Sequence, residues 1–370
     1  MSTVIPILIF LLILGVVVFV HELGHFLAAR GAGVFVEEFA LGFGPKLFYF
    51  RGRKKEANGE ATVYSIRMIP AGGFCKLYGQ ESDEEITNPD RCYNGKSVPA
   101  RMLVMAGGSI MNFLLAFILF FVLTLLTGYQ ITEVRGLPEV SPARQAGLQV
   151  GDRVTHINGA RVSLWENFLL QMEFSGGAPM DVRVNRNGTI HHFVVTPQET
   201  SPGVYRLGFW SDFRYGLLDE PIEGFRRVGL WGSTRTAGEM MLFNIRLPFT
   251  MLARWVTDQH MPAGANVMGP IGMAGEVTVI YQQVIERGVG DMVLTMLFFA
   301  GLLSAALGLF NLLPIPAMDG ARLVFLIIEG IRRKPVPPER EGMIHLAGFV
   351  LIISLGIFLA YRDIIRLIPS

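Results

Sequence analysis

Four stretches of the chain stay apolar long enough to cross a bilayer, for which about 20 residues are needed. They run from Val4 to Ala29, Met102 to Tyr129, Met292 to Met318 and Met343 to Tyr361, and predict spanning helices. The first, uncharged from Val4 to Val20, follows Met1-Ser2-Thr3, which lacks the positive side chains of a signal peptide. No small-residue cleavage site follows either, so the run is expected to remain as a span. Between the first two runs the period changes. Over Val34 to Leu77, phrases such as Phe43-Gly44-Pro45-Lys46-Leu47 and Thr62 to Met68 mix short hydrophobic stretches with Gly and Pro, which predicts strands joined by turns. Past the second run, residues 137–197 read as a small α/β module, with a helix over Trp165 to Met172 and strands near Met180 to Val184 and Ile190 to Val195. The stretch from Pro221 to Gly288 is mixed and amphipathic, sets Phe225, Val228 and Leu230 beside Arg226 and Arg227, and is broken at Met268-Gly269-Pro270-Ile271-Gly272. It is expected to lie on the outer membrane surface with its apolar face down.

Composition agrees with a membrane protein, since 51% of the 370 residues are hydrophobic and only 17% are charged. A net charge of +1, with basic residues spread among acidic ones, offers no stripe for nucleic acid. Charge does set orientation. Lys46, Arg51, Arg53, Lys54, Lys55, Arg67, Lys76, Arg91, Lys96 and Arg101 separate the first two runs, and Arg332, Arg333, Lys334 and Arg340 separate the last two. Basic connections face the cytosol, so both termini and the long segment over 130–290 are expected outside, in a multi-pass protein. Cys75 and Cys92 form no CxxC pair and are read as ordinary thiols.

His21-Glu22-Leu23-Gly24-His25 ends the first uncharged run. A helix brings residues i and i+4 to one face, so both histidines can ligate one Zn²⁺ while Glu22 addresses a water on the metal. A catalytic zinc needs a third protein ligand. The third run offers Asp319 in Asn311-Leu312-Leu313-Pro314-Ile315-Pro316-Ala317-Met318-Asp319-Gly320, where the prolines disturb the helix and a carboxylate is costly unless paired or metal-bound. Glu329 is the fallback ligand. The first and third runs share a direction, so His21 and Asp319 both fall in the cytosolic half of the membrane. Asn112 and Asn311 are amides in apolar helices and are candidate contacts to an unwound substrate backbone, against the alternative of interhelical hydrogen bonds. His156, His191, His192 and His260 are expected at solvated positions and His345 at the membrane interface.

Taken together, HELGH, Ala71-Gly72-Gly73-Phe74, Gly107-Gly108-Ser109-Ile110-Met111-Asn112 and NLLPIPAMDG resemble the site-2 proteases, zinc metalloproteases that cleave transmembrane segments. The phrase from Ser141 to Gly159 resembles a PDZ domain of the bacterial protease-associated kind, and the bacterial sigma-E-pathway branch is the nearest likeness. Met318 stands where that family usually has Leu, and one PDZ-like module is present where some relatives carry two.

The resemblance implies that His21, His25 and Asp319 hold zinc and that Glu22 is the general base; Asn112, Asn311, Gly72 and Gly73 are expected to bind substrate. Gly72 and Gly73 would act through a strand edge that pairs with extended peptide. The implied fold is a polytopic α-helical membrane protein of about four transmembrane helices, with a membrane-associated β-hairpin or sheet and an inserted α/β PDZ-like domain. Its expected divisions are 1–129, 130–200, 201–290 and 291–370. Expected partners are the lipid bilayer of the bacterial inner membrane and single-span substrates already trimmed by another protease, with a peptide C-terminus in the PDZ-like groove. A PDZ adaptor with a purely structural zinc is the alternative, disfavoured because such a site has no use for Glu22.

Overall fold

The structure, a computed structural model, describes residues 4–53, 61–80, 86, 88–201, 204–220, 223–257 and 270–367. His260 and the Met268-Gly269 part of the expected break lie outside these. Contacts divide the chain into two compact units, residues 1–116 with 268–370, and residues 117–267.

The first unit begins with α1 (Val4–Gly31), β1 (Val36–Arg51), β2 (Val63–Leu77) and α2 (Val98–Thr127), the last of which continues into the second unit. Helices α1 and α2 touch through glycine. A Cβ on Gly24 would sit 2.1 Å from the Gly107 carbonyl oxygen, an approach only small residues permit. The two strands form more sheet than their number suggests. Phe39 pairs with both Tyr64 and Cys75, Leu41 with both Ile66 and Gly73, and Tyr49 with Ser65. Both strands therefore bend back, and the segments lie in the order 73–77, 36–41, 63–66, 48–51. Glu38 braces this sheet by accepting from Ser65 Oγ at 2.6 Å and from Arg67 at 2.8 Å.

The second unit carries β3 (Tyr129–Gly136), α3 (Pro142–Gln145), β4 (Arg153–Ile157), β5 (Ala160–Arg161), α4 (Trp165–Ser175), β6 (Met180–Arg186) and β7 (Thr189–Val195). The hairpin β8 (Gln198–Ser201) and β9 (Val204–Arg206), then β10 (Trp210–Tyr215), β11 (Arg226–Arg227) and α5 (Leu230–Val256), complete it. Its main sheet runs β11-β10-β3-β4-β6-β7, with β5 on β4. Alternation puts Met180, Val182 and Val184 of β6 inside with Val154, Ile157 and Phe168. Asp152 is fully buried and takes two bonds of 2.7 Å from Arg186 and one of 2.8 Å from the Gln149 N–H. Helix α5 inverts the pattern of a soluble helix. It buries Ser233, Thr236 and Ala237 and leaves Trp231, Phe249, Leu252 and Trp255 exposed.

The first unit resumes with α6 (Pro270–Ile285), α7 (Val289–Leu312), α8 (Asp319–Arg332) and α9 (Pro338–Leu367). Among the described residues, four helices, α1, α2, α7 and residues 339–365 of α9, are long and apolar enough to cross a membrane. Two boundaries differ from expectation. Helix α6 is not part of a surface segment ending near residue 290, because its Val277 is fully buried against Phe10 of α1 and Met296 of α7. The third run also does not stay helical to Met318. Helix α7 stops at Leu312, and α8 turns back so closely that a Cβ on Gly320 would meet the Leu313 carbonyl oxygen at 2.1 Å.

Candidate metal centre

Burial of Val17, Gly24 and Ala29 orients α1 so that His21 and His25, one turn apart, face the interior. His25 Nδ1 donates to the Val104 carbonyl of α2 at 2.8 Å. The approach depends on Gly108, one turn further along α2, where a Cβ would lie 2.5 Å from His25 Nε2 and 2.7 Å from His21 Nε2. With its proton on Nδ1, a neutral His25 turns the lone pair of Nε2 to the centre.

That lone pair has two acceptors for neighbours. Asp319 Oδ2 lies 3.1 Å from His25 Nε2 and 3.2 Å from His21 Nε2, and the two imidazole nitrogens are 3.2 Å apart. Tetrahedral zinc with bonds of about 2.0–2.1 Å places its ligand atoms roughly 3.3–3.4 Å from one another. The observed triangle fits within a few tenths of an ångström. Three atoms that can each offer a lone pair also repel unless a cation or shared protons stand among them. Among the described residues, this is the one group of at least three His, Cys, Asp and Glu side chains placed to hold a metal. Glu329, the fallback, is instead ion-paired with Arg101 across α2 and α8.

A cavity of about 490 Å³ opens on the triangle, and Glu22, Gly72, Gly73, Cys75, Asn311 and Arg322 share its wall. Glu22 is nearly buried and packs beside Gly73, where a Cβ would approach Glu22 Cγ to 3.0 Å. Among the described residues, Gly73 to Leu77 has a strand partner on one side only. Burial pushes the Cys75 thiol well above its ordinary range, with the Glu22 charge adding to it, so this sulfur is no ready nucleophile. Asn311 lines the cavity while its Nδ2 donates to Leu307 O within α7 at 3.0 Å.

Asn112 is elsewhere. It is fully buried and absent from the cavity wall; its amide nitrogen stands 3.2 Å from His21 Nδ1, and Oδ1 has no partner among the described residues. An amide offers either its oxygen or its nitrogen to one neighbour by a half-turn of its terminal torsion. Turning the amide over gives Oδ1 a donor, the Nδ1–H that His21 must carry when Nε2 binds metal. Its placement thus matches support of a ligand rather than the expected contact with substrate. No sequence signal tells which way an asparagine on an apolar helix points.

Comparison with known proteins agrees with this chemistry. The family described as Peptidase family M50 matches residues 9–355. Zinc metalloprotease RasP of Shouchella clausii is 30% identical over an alignment 436 positions long, gaps included, which covers 97% of this chain and 98% of the relative. The regulator of sigma-W protease RasP of Bacillus subtilis is 29% identical over 442, with the same 97% and 98% coverage. Zinc metalloprotease RasP of Geobacillus kaustophilus is 28% identical over 436, covering 96% of each.

Proposed function

We propose, given that the chain belongs to peptidase family M50 and is a zinc metalloprotease, that it cleaves the transmembrane segments of single-span membrane proteins. The observation that carries this reading is the place of the catalytic group. Glu22 and both histidine ligands sit in α1, a helix apolar enough to span, and open onto a cavity bounded by an edge strand. A closed structural zinc site would not need a carboxylate on an open cavity wall, which favours catalysis over an adaptor role.

His21, His25 and Asp319 would hold the zinc. When bound, the metal supplies a Lewis acid that lowers the pKa of water and polarises a carbonyl. Glu22 takes the proton of the attacking water on its carboxylate and passes it to the leaving amine. The edge from Gly73 to Leu77 offers main-chain groups to an extended peptide, and Gly72 and Gly73 leave room for it to come close. Cleavage therefore requires that a helical segment unwind first, and Asn311 is placed on the wall where freed backbone groups need partners.

The module over residues 137–197 resembles a PDZ domain and serves here as a size filter or a receptor for a new C-terminus, admitting substrates already trimmed by another protease. Helix α5 rests on the outer membrane surface; its small buried side and large exposed Trp231, Phe249 and Trp255 support that placement. The Bacillus subtilis relative is named a regulator of sigma-W protease, so membrane-bound regulators of sigma factors are the first substrates to try. The protein lies in the bacterial cytoplasmic membrane with its termini outside and its zinc in the cytosolic half.

The test is reconstitution in liposomes with two versions of one single-span substrate, trimmed and bulky. Cleavage within the span of the trimmed form supports the reading. Cleavage confined to soluble peptides or to loops outside the span refutes it. Replacing residues 137–197 by a short Gly/Ser bridge is expected to raise cleavage of the bulky form while the trimmed one is still cut.

A further inference from the structure

Asp319 differs from the other two ligands in its support. His21 and His25 lie inside a long helix, whereas Asp319 opens α8 directly after the non-helical stretch 313–318. Ala317, two residues before it, has φ +74°, a left-handed conformation that is unfavourable for a residue with a Cβ. Something outside the turn must hold it.

Two residues of α9 do. Gly348 presses against the turn with bare backbone, since a Cβ there would lie 2.1 Å from Pro316 Cβ and 2.8 Å from Pro316 O. One turn earlier, His345 Nδ1 stands 2.9 Å from the Ala317 amide nitrogen. A main-chain N–H can only donate, so Nδ1 is the acceptor and the proton of the neutral ring is on Nε2, 3.7 Å from Glu341 Oε1. Phe325 of α8 meets the imidazole edge-on with centroids 5.7 Å apart, so the ring is set by packing as well. The spanning window of α9 is mostly unburied, and besides its packing on α6, where Asp363 accepts from the Gly272 N–H at 2.8 Å, the helix presses on the turn that carries Asp319.

We propose that His345 is a positioning residue of the zinc site: by accepting from the Ala317 N–H it holds the left-handed turn that aims the Asp319 carboxylate at His21 and His25. This rests on the reading of Asp319 as the third ligand. The part that matters is an acceptor at the δ position of residue 345. Asparagine has one there and leucine has none, although both fit a helix.

Zinc release from the purified full-length protein to a chromogenic chelator separates the possibilities. His345→Leu is expected to release zinc roughly tenfold faster than wild type, the scale for loss of a group that orients a ligand, and His345→Asn to stay within about twofold. Leucine and wild type releasing zinc alike would overturn the proposal. So would asparagine releasing it as fast as leucine, which would mark His345 as packing only. Asp319→Asn, run alongside, keeps the two readings apart: normal zinc in that variant defeats the ligand assignment, whereas lost zinc there with normal His345→Leu defeats only this proposal. Should His345→Leu not fold, hydrogen exchange on the wild-type chain still decides. Ala317 is exposed on the wall of the cavity that must admit the attacking water, so slow exchange of its amide is expected if the imidazole holds it, and exchange at the rate of an open amide would overturn the proposal.

Discussion

Asp319 Oδ2 and His25 Nε2 stand 3.1 Å apart although 294 residues of chain separate them. The contact joins the first span to the start of α8, and it brings a carboxylate to two imidazoles in a setting where an unpaired charge would be expensive. The proposed zinc chemistry and the packing of the bundle thus meet in one carboxylate.

Replacing Asp319 with Asn keeps the shape and removes the charge. Bound zinc is expected to fall at least about tenfold at a fixed chelator concentration, and activity with it. Metal analysis of the purified variant is the check, and Glu329→Gln, which breaks the pair with Arg101, should keep its zinc.

Gly108→Ala would place a methyl group 2.5 Å from His25 Nε2. Overpacking of this kind costs about 1–3 kcal/mol and here falls on the ligands, so loss of zinc should exceed loss of folded protein. Gly15→Ala is the control, as nothing lies within 4 Å of a Cβ at that position. Equal zinc in the two variants would count against the site as built here.

Asn112→Ala removes the amide beside His21 Nδ1. Weakening of zinc binding by roughly 10- to 100-fold is expected, with little change in KM for a trimmed substrate once zinc is saturating. A large rise in KM at full zinc occupancy would return Asn112 to substrate binding.

The meeting of His21, His25 and Asp319 could be read from sequence because the helical period itself links the two histidines, and because Pro314, Pro316 and Asp319 interrupt an apolar run in a way lipid does not tolerate. Spans α1 and α2 were legible for the same reason: length and apolarity suffice in a bilayer. What was not legible is direction. Asn112 and Asn311 look alike as amides in apolar helices, but one faces His21 and the other the cavity. Helix α6 resembled a surface segment because its neighbours are amphipathic, and only packing against Phe10 and Met296 draws it into the bundle. The doubled pairing of β1 was hidden as well, since a bend at Gly44-Pro45 reads the same whether a strand ends or folds back.

Outside the spans, burial pushes the Asp152 carboxyl up, but bonds from Arg186 and the Gln149 N–H outweigh it and hold the carboxyl below its ordinary range. A folded-state pKa below the unfolded one contributes stability that is present above the unfolded value, about 3.9, and is lost as pH falls below it. Hydrogen exchange of β4 and β6 in the full chain should therefore accelerate on acidification below about pH 4, after correction for intrinsic rates. Asp152→Asn should be less stable at neutral pH and flatter over the same range. A variant as acid-sensitive as wild type would assign the loss to another group.

The most direct measurement concerns Glu22, which ligates nothing in the triangle but shares its cavity. Purified Glu22→Gln, assayed on a trimmed single-span substrate in liposomes, should retain about one zinc per chain, because no ligand is removed. Its turnover should fall to background, by at least roughly 100-fold for loss of a general base. Near wild-type turnover at full zinc occupancy would contradict the claim that this carboxylate, set inside a spanning helix, is the base of an intramembrane protease.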